Sequence, residues 1–163
     1  MFSAPEPLAA LHNLTEFSCG IASLDEWLKR RAASNQASGA TRTFVVADQR
    51  RVVAYYAVAS GGISPSSAFG KFRRNMPDPI PVALLARLAI DCAWQGRGLG
   101  RALFRDCAGR ILNAAGSLGI RGIVVHAISD QAKAFYLAIG FEESPMDAMM
   151  LMVTLTDVRA VFG

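Results

Sequence analysis

Two stretches of the chain carry residue types that could do chemistry. The first is Arg87-Leu88-Ala89-Ile90-Asp91-Cys92-Ala93-Trp94-Gln95-Gly96-Arg97-Gly98-Leu99-Gly100. An apolar run gives way to three closely spaced glycines and then to a helical pattern. Glycines let the backbone come close to a ligand, and the first turn of a helix offers unpartnered N–H groups at the positive end of its dipole. Such a turn suits a pyrophosphate. Taken alone, it is also compatible with a packing turn or a dinucleotide fold. No Gly-Lys-Ser/Thr is present, which argues against a Walker loop. The spacing of Gly96, Gly98 and Gly100, with two strands ahead of this one, departs from the Rossmann pattern.

The second stretch is Ser129-Asp130-Gln131-Ala132-Lys133-Ala134-Phe135-Tyr136, closing in Ile139-Gly140-Phe141. A tyrosine phenol, with a reference pKa of about 10, can hand a proton to a leaving group. An isolated tyrosine between Phe135 and Leu137 would otherwise read as core. Glu26, Asp91 and His126 could each act as a base, but each has a structural reading: helix surface, strand end and buried strand histidine. No general base is assigned. Cys19, Cys92 and Cys107 are odd in number, widely spaced and without a Cys-x-x-Cys pair. They read as buried thiols in a reducing cytoplasm, not as a disulfide framework or a metal site.

The elements that must position these residues follow from periodicity and punctuation. Ser23-Leu24-Asp25-Glu26 has the form of a capping box, with Ser23 as the N-cap of a helix running to about residue 35. Strands are expected at 43–47 and 51–63 around a turn at 48–50. Residues 64–81, rich in Gly, Ser and Pro, read as a loop carrying Lys71, Arg73 and Arg74. A strand follows at 82–90 and a helix at 98–115. A buried strand at 123–128 leads to a short helix, capped by Ser129 or Asp130 and closed by Gly140. A last strand at 149–155 ends in a short tail. This order predicts an α/β fold, a mixed sheet with helices on both faces, in a single domain over 1–163.

Composition agrees with a cored, water-soluble chain. Of 163 residues, 52% are apolar and 18% charged, too few charges for a disordered tail protein. The longest apolar run, 52–59, is far short of the roughly 20 residues a membrane helix needs. The first seven residues lack the basic start and apolar core of a signal peptide. A cytoplasmic location is expected. Net charge is +4, but residues 29–105 hold thirteen basic residues against three acids, a net of +10, while the rest carries −6. Arginine outnumbers lysine fourteen to three. Arginine's planar fork suits bidentate contacts with phosphate, so a polyanionic partner is one reading. Arginine codons of a GC-rich genome and solvated charge are the other.

Together the two chemical stretches resemble the GNAT family of acetyl-coenzyme A-dependent N-acetyltransferases. Gln95, Gly98 and Gly100 match its Gln-x-x-Gly-x-Gly element; Ala132, Tyr136, Gly140 and Phe141 match its Ala-x-x-x-Tyr helix ahead of Gly-Phe. Ser129 departs from the Asn that many members carry, though a serine can still cap the helix. A longer set of segments is similar to one branch, the toxins of TacT/AtaT type in bacterial toxin–antitoxin pairs. They include Arg73-Arg74-Asn75-Met76-Pro77-Asp78-Pro79-Ile80-Pro81-Val82, Leu24-Asp25-Glu26-Trp27-Leu28 and Val125-His126-Ala127.

That resemblance implies acetyl-CoA as cosubstrate, no metal, and Tyr136 as the general acid beside the thioester sulfur. It implies coenzyme contacts from the backbone of Leu88, Ala89 and Ile90, from Gln95, Gly96, Arg97, Gly98, Leu99, Gly100 and Arg101, and from Ser129, Ala132 and Phe135. Arg97 and Arg101 otherwise read as a solvated helix face. The implied substrate is the free amine of the amino acid on charged tRNA, whose acetylation blocks translation. Arg73, Arg74 and Arg87 are then candidates for tRNA phosphate contacts. A homodimer is implied as well, neutralised by a ribbon-helix-helix antitoxin with which it occupies operator DNA as a repressor. The alternatives are acetylation of a small-molecule or protein amine, or a non-catalytic partner of a DNA-binding antitoxin.

Overall fold

The computed structural model describes residues 2–162. In chain order the elements are β1 (Glu6–Pro7), α1 (Ala22–Arg30), α2 (Ala32–Ser38), β2 (Arg42–Asp48), β3 (Arg51–Ile63), α3 (Gly70–Arg73), β4 (Ile80–Ile90), α4 (Leu99–Ala114), β5 (Gly122–His126), α5 (Asp130–Ala138), β6 (Glu142–Glu143), β7 (Met150–Thr154) and α6 (Leu155–Phe162). The strands lie in the order β1-β2-β3-β4-β5-β7-β6. Parallel pairing joins β4 to β5 at Ala83↔Ile123 and Leu84↔Val124, while β2–β3 and β5–β7 are antiparallel. The sheet is therefore mixed. Its residues group into two units, Met1–Ala59 with Ala86–Cys107 and Ser60–Leu85 with Ala108–Gly163.

In the first unit β2 and β3 turn at Asp48-Gln49-Arg50, where Gln49 adopts φ 60°. The apolar run of β3 is the centre of this core. Val52 and Tyr55 pack with Leu24, Trp27 and Leu28 of α1 and with Phe17. Trp27 stacks on Tyr55 at 6.0 Å and 12°, and Phe17 meets the same ring edge-on. Burial raises the Tyr55 phenol above its ordinary range, so it stays protonated and donates a hydrogen bond to the Leu24 carbonyl at 2.8 Å. Truncating a fully buried residue here, such as Leu28→Ala, should cost about 2–5 kcal/mol.

The second unit is built around Phe72, Ile80, Val82, Val124 and Met152. Gly122 lets β5 and β7 approach closely, since a Cβ there would collide with the Val153 carbonyl and the Phe72 ring.

Several expected boundaries differ. Ser23 is not an N-cap: the cap position is Ile21, two residues earlier, with no side-chain cap bond. Asp25 does the fastening instead, accepting the Cys19 N–H at 2.9 Å. The helix breaks at Arg31 and resumes as α2, which Gly39 ends at φ 81°. Residues 64–81 are not one loop: a 3-10 turn (Pro65–Ser67) and α3 lie within them, and β4 begins at Ile80. His126 ends β5 exposed, not buried. Cys92 is exposed as well, unlike Cys19 and Cys107. The supposed tail is α6, whose Leu155 and Val158 are buried.

Candidate functional site

In the first unit, the end of β4 is tied down before the glycines begin. Asp91, 3% exposed, receives N–H bonds from Ser18 at 3.1 Å and Ala93 at 2.9 Å. Its backbone N–H bonds the Val53 carbonyl, and that of Cys92 bonds the Ser18 carbonyl. Arg51 lies 3.7 Å from the carboxylate. Asp91 is thus a brace, each carboxylate oxygen holding a backbone N–H, which fits its strand-end reading. Gln95 braces too: its amide nitrogen donates to the Ile90 carbonyl at 2.8 Å and the Cys19 carbonyl at 3.0 Å. Burial, reinforced by Asp25, pushes the Cys19 thiol up to about 11, so it packs as a neutral group.

What remains facing outward is backbone. Gly96 and Gly98 take φ 77° and 80°, a region costly for side chains with a Cβ. Both are exposed, and a Cβ built at either meets nothing within 4 Å. The open ground beside them is where a ligand could approach. Helix α4 then starts at Leu99, a 16-residue helix whose first N–H groups and dipole favour an anion. The exposed Arg97 stacks its guanidinium 5.0 Å over Trp94, and Arg101 stands exposed one turn on. The glycines, the helix start and Arg97 fit a pyrophosphate. Leu88 and Ile90 are half-buried and Ala89 is buried. Arg87 is also half-buried, its guanidinium 4.4 Å over the Trp27 ring; it belongs to the first unit, and Arg73 and Arg74 belong to the second.

In that second unit, Ser129 caps α5 by accepting the Ala132 N–H at 3.0 Å, and Gly140 ends the turn at φ 111°. The Ser129 hydroxyl is therefore already in use within the helix. Tyr136 is 6% exposed, held edge-on between Phe135 at 5.1 Å and Phe141 at 5.4 Å. Two aromatic neighbours fix the plane of its ring. Phe135 and Ala132 are half-buried. Arg73 and Arg74, at and just after the end of α3, are exposed. Among the described residues, no group of three or more His, Cys, Asp and Glu side chains is placed to hold a metal ion.

Sequence reasoning passed over two features. One is Asp91 as the anchor of the 18–20 loop. Its only signal is an acid directly after an apolar strand. The other is the start of α6, where the Thr154 hydroxyl accepts the Asp157 N–H at 3.2 Å; Thr154-Leu155-Thr156-Asp157 is a readable capping pattern.

Comparison with known proteins finds relatives of the whole chain. A model of the acetyltransferase (GNAT) domain matches residues 39–143. The chain is 49% identical over 162 residues to the tRNA-acetylating toxin of Mycobacterium tuberculosis (strain ATCC 25618 / H37Rv), covering 99% of this chain and 98% of that one. A crystal structure of AtaTR bound with AcCoA is 25% identical with a TM-score of 0.86, covering 99% of this chain and 98% of its own. The AtaT–AtaR complex bound to DNA is 25% identical with a TM-score of 0.80, covering 98% and 99%.

Proposed function

We propose, from the premise that the chain belongs to the GNAT acetyltransferase family, that it is a toxin of a toxin–antitoxin pair. It moves the acetyl group of acetyl-CoA to the amine of the amino acid on charged tRNA. The observation that carries this reading is 49% identity, over almost the full length of both chains, to a tRNA-acetylating toxin.

The coenzyme supplies an acetyl thioester. In this reading the whole chain works as one acetyltransferase domain. The N–H groups at Gly96, Gly98 and Gly100 and the start of α4 take the pyrophosphate, with Arg97 and Arg101 beside it. Leu88, Ala89 and Ile90 offer backbone to the pantetheine, while Leu99, Ser129, Ala132 and Phe135 shape the seat. Gln95 acts through its two carbonyl bonds, as a positioning residue. The substrate nitrogen bonds the acetyl carbon, the carbon–sulfur bond breaks, and Tyr136 gives its phenolic proton to the sulfur. The proton lost by the amine returns to the phenol through solvent. The ester bond to tRNA lowers the amine's basicity towards neutrality, so the neutral nucleophile is abundant without a dedicated base.

Arg73, Arg74 and Arg87 meet tRNA phosphates. An antitoxin partner and a complex of the two on DNA belong to the reading, supported by the AtaT–AtaR complex bound to DNA; a homodimer, a ribbon-helix-helix antitoxin, repression at operator DNA and a cytoplasmic location complete it. Translation in a cell extract tests it. Protein plus acetyl-CoA should stop synthesis, and freshly charged tRNA should restore it. Arrest that is independent of acetyl-CoA would overturn the proposal.

A further inference from the structure

The second unit holds an open cavity of about 280 Å³ with a cationic wall. Lys71, Arg74 and Arg121 line it, with the polar side chains of Asn75 and Thr156 beside them. We propose that this cavity seats one backbone phosphate of the charged tRNA, an inference that rests on the tRNA reading above.

Among the described residues, no carboxylate belongs to the lining. Asp157 pairs with one of these cations, its Oδ2 accepting from Lys71 at 2.5 Å. Three cations against one anion leave the site with net positive charge. Every polar side chain on the wall can donate a hydrogen bond, which is what phosphate oxygens require.

The cations stand on a braced frame. Arg121 donates from Nε to the Phe72 carbonyl at 2.8 Å and from Nη2 to the Lys71 carbonyl at 2.7 Å. Its own N–H bonds the Pro81 carbonyl, and its carbonyl takes the N–H of Leu155. One residue therefore pins α3, the start of β4 and the start of α6 around the cavity. Asn75, at φ 60°, turns the chain so that Arg74 and Met76 both face the same hollow. Asparagine is among the few residues at home in that conformation. Little ordering cost is left for the ligand to meet.

The lining also selects among phosphates. No aromatic ring lines the cavity to stack a base, so a free nucleotide would be held by its phosphate alone. Met76 is the one apolar lining residue, suited to a ribose edge. A phosphate in a longer chain, delivered by contacts made elsewhere, matches this chemistry. Arg73 does not line the cavity, which separates its role from that of Arg74.

Filter binding of tRNA at several salt concentrations tests the assignment, with Arg74→Glu, Thr156→Glu and Arg73→Glu. Thr156 is exposed in the first turn of α6, where a carboxylate suits the helix dipole, so Thr156→Glu should fold. Arg74→Glu and Thr156→Glu should each weaken tRNA binding about tenfold at low salt and reduce the salt slope by about one. Arg73→Glu should do less, and acetyl-CoA affinity should hold in all three. Unchanged tRNA affinity and slope in Thr156→Glu and Arg74→Glu, while wild type still acetylates charged tRNA, overturns the cavity and leaves the activity standing. Losses confined to duplex DNA or to inorganic phosphate also overturn it. A wild type that neither binds nor acetylates tRNA overturns both proposals.

Discussion

The segments on either side of β4 are built on opposite plans. After the strand, Asp91 and Gln95 spend their polar atoms on backbone groups, and glycine backbone is what faces outward. At its start, the turn at Asn75 and Arg121, which reaches in from just ahead of β5, brace the frame, and charged side chains line the hollow. A site made of backbone dipoles has a fixed shape and works on a ligand held at one close distance. A site made of long cationic side chains acts over a range and weakens with salt. The first plan suits a small coenzyme that must be set in one pose, and the second suits a polymer gripped at several points.

The comparison breaks most sharply at the chemistry, which neither binding segment supplies. Tyr136→Phe removes only a hydroxyl from a ring held by Phe135 and Phe141. Turnover should fall about 10²–10⁴-fold with acetyl-CoA and tRNA affinities unchanged. Steady-state kinetics and calorimetry on the same preparation check it, and wild-type turnover would remove the residue from the mechanism.

The backbone plan is tested at its glycines. Gly98 sits at φ 80°, so Gly98→Val strains the turn, and Gly100→Glu adds a carboxylate where the proposed pyrophosphate would lie. Acetyl-CoA affinity should drop by about tenfold or more, roughly 1.4 kcal/mol per factor of ten. Arg74→Glu should leave it alone. Equal losses from the glycine and arginine variants would erase the distinction between the two plans.

A milder effect is expected at the brace. Asp91→Asn replaces a carboxylate that receives two N–H bonds with an amide that turns a donor towards one of them. The cost should be about 1–3 kcal/mol, seen as a lowered thermal midpoint. The acetyl-CoA affinity of the folded protein should fall less than with Gly98→Val.

The smallest effect concerns acid. The hydrogen bond from Lys71, aided by its charge, holds the Asp157 carboxyl below its ordinary value of 3.8. The stabilisation is complete above that value and is lost as pH falls through the lowered folded value. Lys71→Met should therefore melt slightly below wild type at pH 6, by no more than about 2 °C. The gap should close as pH approaches 2. A gap that widens in acid would contradict the pairing.

The same contrast explains what could be read from the sequence. The β4–α4 turn and the capped α5 are local: Ser129 caps within three residues and Gly140 closes the helix, so short-range signals suffice. Residues 64–81 look like a loop because Gly, Ser and Pro dominate them, yet α3 exists there through buried Phe72 and the Arg121 bonds, 49 and 50 residues away. The two capping patterns make the point again. Ser23–Glu26 has the right letters and is unused, because Asp25 fastens the preceding loop instead. Thr154–Asp157 carries a working cap that the run into a strand obscured. His126 reads as buried because its neighbours in β5 are, but it ends the strand and is exposed.

The central claim is that this chain acetylates the amino acid carried by tRNA. Incubation with radiolabelled acetyl-CoA and two matched pools, charged and deacylated tRNA, tests it most directly. The account predicts label on the charged pool alone, released by mild alkali as N-acetyl amino acid and absent with Tyr136→Phe. Label on neither pool, or equal label on both, would contradict it.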